Sequence, residues 1–132
     1  MKNDEISRDV IGIAMRVHTA LGPGLFESVY EAILAGKLVE AGFQVDRQVS
    51  VDILFEGTKY GNALRIDLLV NRQLVIEIKS TDRPNDLFAK QLLTYLRLSD
   101  LPVGLVINFG AASLRDGIRR VVNNHTDSVT SP

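Results

Sequence analysis

The chain has no cysteine and no tryptophan among its 132 residues. Without cysteine there is no disulfide framework, no thiolate zinc site and no cysteine nucleophile. The same absence suits a reducing compartment, so a cytoplasmic location is expected. No run approaches the roughly 18 apolar residues of a membrane-spanning helix. Residues 1–9 (MKNDEISRD) lack the apolar stretch of a secretory leader, and no membrane partner is expected. An excess of one charge is missing as well: 15 Lys+Arg stand against 16 Asp+Glu, a net charge of −1. That balance argues against a protein that coats polyanions through a broad basic surface, but not against one that meets nucleic acid at a single local site.

What is present is ordinary for a globular domain, with 45% apolar and 23% charged residues. The length fits one core. A single domain over residues 1–122 is expected, followed by a polar, aperiodic and flexible tail, residues 123–132 (NNHTDSVTSP).

Two apolar stripes at helical spacing come first. Ile6, Val10, Ile13, Ala14, Val17 and Leu21 share one face, with Asn3 and Asp4 as plausible caps. Gly22-Pro23-Gly24 stops that helix. Phe26, Val29, Tyr30, Ile33, Leu34, Leu38 and Ala41 form the second stripe, with Gly42 suited to end it. The period then changes to two: Val45, Val49, Val51, Ile53 and Phe55 alternate with polar residues, and Glu56-Gly57-Thr58-Lys59 supplies a turn. Residues 64–70 and 74–80 read as two further strands around Asn71-Arg72-Gln73. A third helix follows, capped by Asn85 or Asp86, with Phe88, Leu92, Tyr95 and Leu96 on one face. Residues 103–109 are almost continuously apolar, as in a central strand covered on both faces. The order strand, helix, buried strand predicts a right-handed βαβ crossover. Residues 114–122 make a last short element, more strand than helix because Gly117 interrupts it. The expected fold is α/β: a mixed sheet of four to five strands flanked by helices, in the order α-α-β-β-β-α-β-β.

The informative residues are polar ones on faces that ought to be apolar. Asp67 interrupts one strand, and Glu77 and Lys79 interrupt the next. Their i, i+2 spacing turns Glu77 and Lys79 to one face while Ile76 and Ile78 turn to the other. If Asn71-Arg72-Gln73 is a three-residue loop, Val70 pairs with Leu74 and Asp67 lies opposite Glu77. Two facing carboxylates beside a lysine repel one another unless a cation lies between them. The wet face of an antiparallel sheet is the plainer account, and the register decides between the two. Glu27 lies on the apolar side of the second helix, one helical step from Tyr30; a first-turn carboxylate favoured by the helix dipole explains it as well. Gln91 and Tyr95, at i, i+4, form a polar pair beside Phe88 that needs a partner. His18, at the margin of the first stripe, fits a satisfied structural histidine or a supporting role at a site.

Gly24-Leu25-Phe26-Glu27-Ser28-Val29-Tyr30 matches the motif that names the GxxExxY proteins, a family assigned to the PD-(D/E)XK nuclease superfamily. The resemblance runs from about Ile6 to Val122. It takes in Arg65-Ile66-Asp67-Leu68-Leu69-Val70, Glu77-Ile78-Lys79, Gln91-Leu92-Leu93-Thr94-Tyr95-Leu96 and Gly104-Leu105-Val106-Ile107-Asn108-Phe109-Gly110. It implies a restriction-endonuclease-like core and a metal-dependent nuclease acting on DNA before RNA. Asp67, Glu77 and the backbone carbonyl of Ile78 would bind Mg²⁺ (or Mn²⁺), with Glu27 as a further acidic group. Lys79 would be catalytic, and Gln91, Tyr95, His18 and Tyr30 supporting. Two departures stand out: Ile66 precedes the strand Asp where the superfamily's name has proline, and residues 86–90 lack a histidine expected shortly before Gln91. A silent nucleic-acid- or protein-binding module on the same scaffold is the alternative. A homodimer is compatible with so short a chain.

Overall fold

The computed structural model describes residues 1–83 and 85–124 of the chain. The elements run α1 (Asn3–Leu21), α2 (Glu27–Glu40), β1 (Val45–Phe55), β2 (Thr58–Val70), β3 (Leu74–Lys79), α3 (Leu87–Ser99), β4 (Val103–Asn108), a short 3-10 turn (Leu114–Gly117) and β5 (Ile118–Val122). The five strands form one sheet in the order β1-β2-β3-β4-β5. β3 and β4 pair parallel with α3 between them in sequence, and the other neighbours are antiparallel. The fold is the expected α/β arrangement of a mixed sheet flanked by helices.

The period-3.6 stripes bury most of the α1 face and the middle of the α2 face, while Leu21, Phe26, Val29 and Ala41, counted with them, are exposed. Ile6, Val10, Ala14, Tyr30, Leu34 and Leu38 pack with Leu68, Val70, Leu74, Ile76, Ile78, Leu105 and Ile107 on one face of the sheet. Leu92 and Leu96 of α3 pack with Ile66, Val75 and Val106 on the other. β4 is buried along its whole length, as its unbroken apolar run predicts.

The Gly22-Pro23-Gly24 turn is held from inside. Gly22 and Gly24 take positive φ angles of 74° and 103°, open to glycine at no steric cost. The fully buried Tyr30 donates its hydroxyl proton to the Gly22 carbonyl and accepts the Leu25 N–H at 3.2 Å. Its ring stacks on Phe109 at 4.4 Å between centroids, nearly parallel at 6°. Tyr30→Phe keeps the stack and strands the Gly22 carbonyl, so a loss of about 1–2 kcal/mol is expected in urea unfolding. A variant as stable as wild type would show that the hydroxyl does not hold the turn.

Three elements differ from the sequence expectation. β2 begins at Thr58, six residues before the predicted start, because the turn tightens to Glu56-Gly57, both at positive φ (51° and 81°). This is the two-residue hairpin geometry. Opposite Gly61-Asn62-Ala63 the β1–β2 register shifts, and the Asp52 carboxylate accepts the Asn62 N–H at 2.8 Å. Asn3 and Asp4 lie inside α1 rather than capping it, while Asp86 stands at the N-cap of α3 without a side-chain bond and Asn85, one residue earlier, accepts the Leu87 N–H at 2.9 Å. Asn123, assigned to the tail from sequence, is buried; its N–H donates to the Pro102 carbonyl at 2.9 Å and its amide to the Leu101 carbonyl at 3.1 Å. The tail from residue 125 on lies outside the described residues.

Candidate active site

The β2–β3 loop is three residues long, with Asn71 and Arg72 at positive φ, and Val70 pairs with Leu74. The regular ladder continues through Leu69↔Val75 to Leu68↔Ile76 and stops. One step further, side chains take over from carbonyls. The Asp67 N–H donates to Oε1 of Glu77 at 3.2 Å, and the Ile78 N–H donates to Oδ2 of Asp67 at 2.8 Å. Each carboxylate thus satisfies a backbone donor of the opposite strand.

β1 and β2 break at the same place. Arg47 pairs with Leu68 and Val49 with Ile66, but Gln48 takes a left-handed φ of 52° and leaves the ladder opposite Asp67. The sheet faces exchange there. Leu68 packs with the α1/α2 core while Ile66, two residues away, packs with α3, and Val45 and Val49 divide in the same way. Period-two alternation would have put each pair on one face.

The charges follow from this break. Glu77 is 9% exposed. Burial and the neighbouring Asp67 charge raise its pKa to about 8, against the pull of the Asp67 N–H and of Lys79. Asp67 is also raised, first by burial; the Ile78 N–H opposes that, and the charge of Glu31 adds to it. The two carboxyls therefore resist being ionised together. The Lys79 ammonium stands 4.7 Å from the centre of the Phe88 ring and draws both carboxyls down by its charge. Tyr95 of α3 has its hydroxyl pKa raised by burial and then by the charges of Glu77 and Asp67, and it accepts a hydrogen bond from Gln91 at 3.3 Å. Asp67, Glu77, Lys79 and the Gln91/Tyr95 pair thus gather where the ladder ends.

Glu27 and His18 are placed elsewhere. Glu27 is exposed in the first turn of α2, lining an open cleft with Gly24, Phe26, Ser28 and Ser80. His18 is 8% exposed and donates from Nε2 to the Ala111 carbonyl at 2.9 Å, tying α1 to the loop after β4. Tyr30 serves the turn described above. The α2 carboxylate that reaches Asp67 is Glu31, one helical turn beyond Glu27. It is 7% exposed, receives the Gln48 amide on Oε1 at 2.6 Å, and is held on Oε2 by Arg47 at 3.0 and 3.2 Å. The sequence did carry a signal for it: Glu31, Leu34, Ala35 and Leu38 follow i, i+3, i+4, i+7, the burial pattern of the helix itself.

Among the described residues, no three His, Cys, Asp or Glu side chains converge closely enough to form a ready cation site. The pair itself fits a hard cation: two facing carboxylates, raised by burial and by the charge of a neighbouring carboxylate (Asp67 for Glu77, Glu31 for Asp67), offer the oxygen donors such an ion takes. Among the described residues, no helix is long and apolar enough to cross a membrane.

No curated protein matches the chain. A solved structure titled "Crystal structure of SSO0001" is similar at 17% identity and a TM-score of 0.48, covering 89% of this chain and 78% of that one. A family model described as the PD-(D/E)XK nuclease superfamily matches residues 4–121, a span that contains the interlocked Asp67/Glu77 pair and Lys79, and the chain belongs to that superfamily.

Proposed function

We propose that the protein is a divalent-cation-dependent nuclease of the GxxExxY branch that hydrolyses phosphodiester bonds, in DNA before RNA. The observation that carries this reading is the reciprocal interlock of Asp67 and Glu77 at the end of the β2–β3 ladder, with the Lys79 charge acting on both. Asp67, Glu77 and the Ile78 carbonyl would hold Mg²⁺ or Mn²⁺, with Glu31 or Glu27 as the further acidic group. When bound, such an ion would supply the charge that polarises a phosphate oxygen and lowers the pKa of a water. Asp67 and Glu77 orient that centre, because each is fixed by a backbone N–H of the neighbouring strand. Lys79 supplies a positive charge that aligns the water and offsets charge developing on the phosphorus oxygens. Its ammonium stands over the Phe88 ring, a cation–π contact that limits its search. Tyr95 stays protonated at neutral pH and offers a hydroxyl donor to the substrate backbone, with Gln91 fixing its direction.

Single-stranded, duplex and branched DNA and the matching RNAs, incubated with Mg²⁺, Mn²⁺ or EDTA, test the reading. At least one DNA form should be cut with a divalent ion and none with EDTA, and Lys79→Ala should lower the rate by at least about a hundredfold. Cleavage that survives EDTA sinks the proposal.

A second reading, a catalytically silent nucleic-acid- or protein-binding module on this scaffold, draws on the absence of three converging acidic side chains among the described residues. It expects no divalent-dependent cleavage of any substrate, with binding unaffected by Lys79→Ala.

A further inference from the structure

Gln48 breaks two local rules at once. It holds a left-handed φ of 52°, costly for a residue with a side chain, and it leaves the β1–β2 ladder at the one point where Asp67 does. Strain of this kind persists only where the surroundings impose it. What the conformation achieves is the position of the side-chain amide. Nε2 lies 2.6 Å from Oε1 of Glu31 and 3.5 Å from Oδ1 of Asp67, one donor group set between two carboxylates. Both neighbours only accept hydrogen bonds when ionised, so the nitrogen end must face them. Arg47 grips the far oxygen of Glu31 and so keeps Oε1 turned toward Gln48. A cation drawn to these two carboxylates would occupy the place of the amide.

We propose that Gln48 is a positioning residue of the acidic site: its amide bridges Glu31 and Asp67 in the cation-free protein and gives up that place when a divalent cation binds. The inference rests on the cation-dependent reading above and adds how the site is kept ready. Without the amide, the two carboxylates would face each other with nothing between them, and the buried Glu31 would lose the group that turns it toward Asp67. With the amide, a third carboxylate waits one partner exchange away from Asp67 and Glu77. Gln48 thus stands between Glu31 and Asp67 and keeps the third carboxylate off the pair.

The test is Gln48→Gly, a substitution suited to the left-handed backbone and therefore one that should not unfold the chain by itself. Mn²⁺ binding is followed by calorimetry, and thermal unfolding is measured in EDTA and in Mn²⁺. If the amide must leave when the ion arrives, the variant binds Mn²⁺ about tenfold more tightly than wild type, the scale of one hydrogen bond to a charged group. Its melting temperature in EDTA falls despite the relieved strain, and Mn²⁺ restores more than it does for wild type. In a Glu31→Gln background, the same substitution shifts affinity less than twofold. A merely structural Gln48 gives the opposite sign, with Mn²⁺ binding weakened or unchanged in Gln48→Gly, and that overturns the proposal while leaving the cation site standing. Wild type that binds no Mn²⁺ overturns the cation-dependent reading and this inference with it.

Discussion

Glu77→Gln is expected to make the cation-free protein more stable at pH 8.5 and to remove its response to divalent ions. The folded pKa of Glu77, about 8, lies above its ordinary value of 4.5. A carboxyl raised in this way favours the folded state through its protonated form. That contribution is complete below 4.5 and is lost as the pH rises through about 8. The raised Asp67 has the same sign and adds to the slope. Glutamine imitates the protonated acid without titrating: its carbonyl can still accept the Asp67 N–H, and its amide can donate to the Asp67 carboxylate. Urea unfolding in EDTA should therefore place variant and wild type within about 1 kcal/mol at pH 5, and the variant ahead by a few kcal/mol at pH 8.5. Groups away from the pair titrate equally in both proteins and cancel from the difference. Mn²⁺ should reverse the order at pH 8.5 by stabilising wild type alone, because an ion that binds only the folded state shifts the equilibrium by mass action. Curves that stay parallel from pH 5 to 8.5 would show that Glu77 is ionised without penalty.

Gly110→Ala should cost about 3 kcal/mol or more and lower the melting temperature by an order of 10 °C. A Cβ at this position would meet the backbone N and O of Thr81 at 2.4 Å, and backbone cannot step aside as a side-chain end can. Thr81 is also pinned by the buried Asn108. The Asn108 Oδ1 accepts from the N–H groups of Thr81 and Gly110, each at 3.0 Å, and Nδ2 donates to the Thr81 carbonyl at 2.9 Å. Phe109 adds an N–H to the Lys79 carbonyl at 2.8 Å. The clash therefore displaces the segment two residues beyond Lys79 and breaks the clamp between the ends of β3 and β4. Gly36→Ala is the matched control, on the exposed side of α2 with nothing within 4 Å of the added carbon. Helix propensity predicts that it stabilises the chain by up to about 1 kcal/mol. Equal effects of the two substitutions would remove the close approach at Gly110 as a structural constraint.

The layers of this fold were legible because the periods of α1, of the middle of α2 and of β4 match their burial. The α1 and α2 stripes, the glycine-proline-glycine stop, the unbroken apolar run of β4 and the three-residue loop after β2 all led to the observed arrangement. The register at Asp67 and Glu77 was legible for the same reason: once Val70 faces Leu74, counting does the rest. The first half of β2 was not, because Gly61 and Asn62 are poor strand formers and their pairing comes from the hairpin rather than from local preference. The exchange of faces at Gln48 was hidden too. No alternation pattern announces a residue that abandons it, and only the tertiary environment holds Gln48 at positive φ. Glu31 fell between the two cases. Its spacing marked it as buried, but Glu27, one turn earlier, sat inside a recognisable motif and drew the attention first.

The end of the β2–β3 ladder also provides a reporter. The N–H groups of Asp67 and Ile78 are bonded to side-chain oxygens of Glu77 and Asp67, not to strand carbonyls. Whatever draws those oxygens away loosens two backbone amides flanked on the β2–β3 ladder by residues still locked in it. Hydrogen exchange at these two amides, compared with Leu68 and Ile76 beside them, would read the placement of the carboxylates one residue at a time.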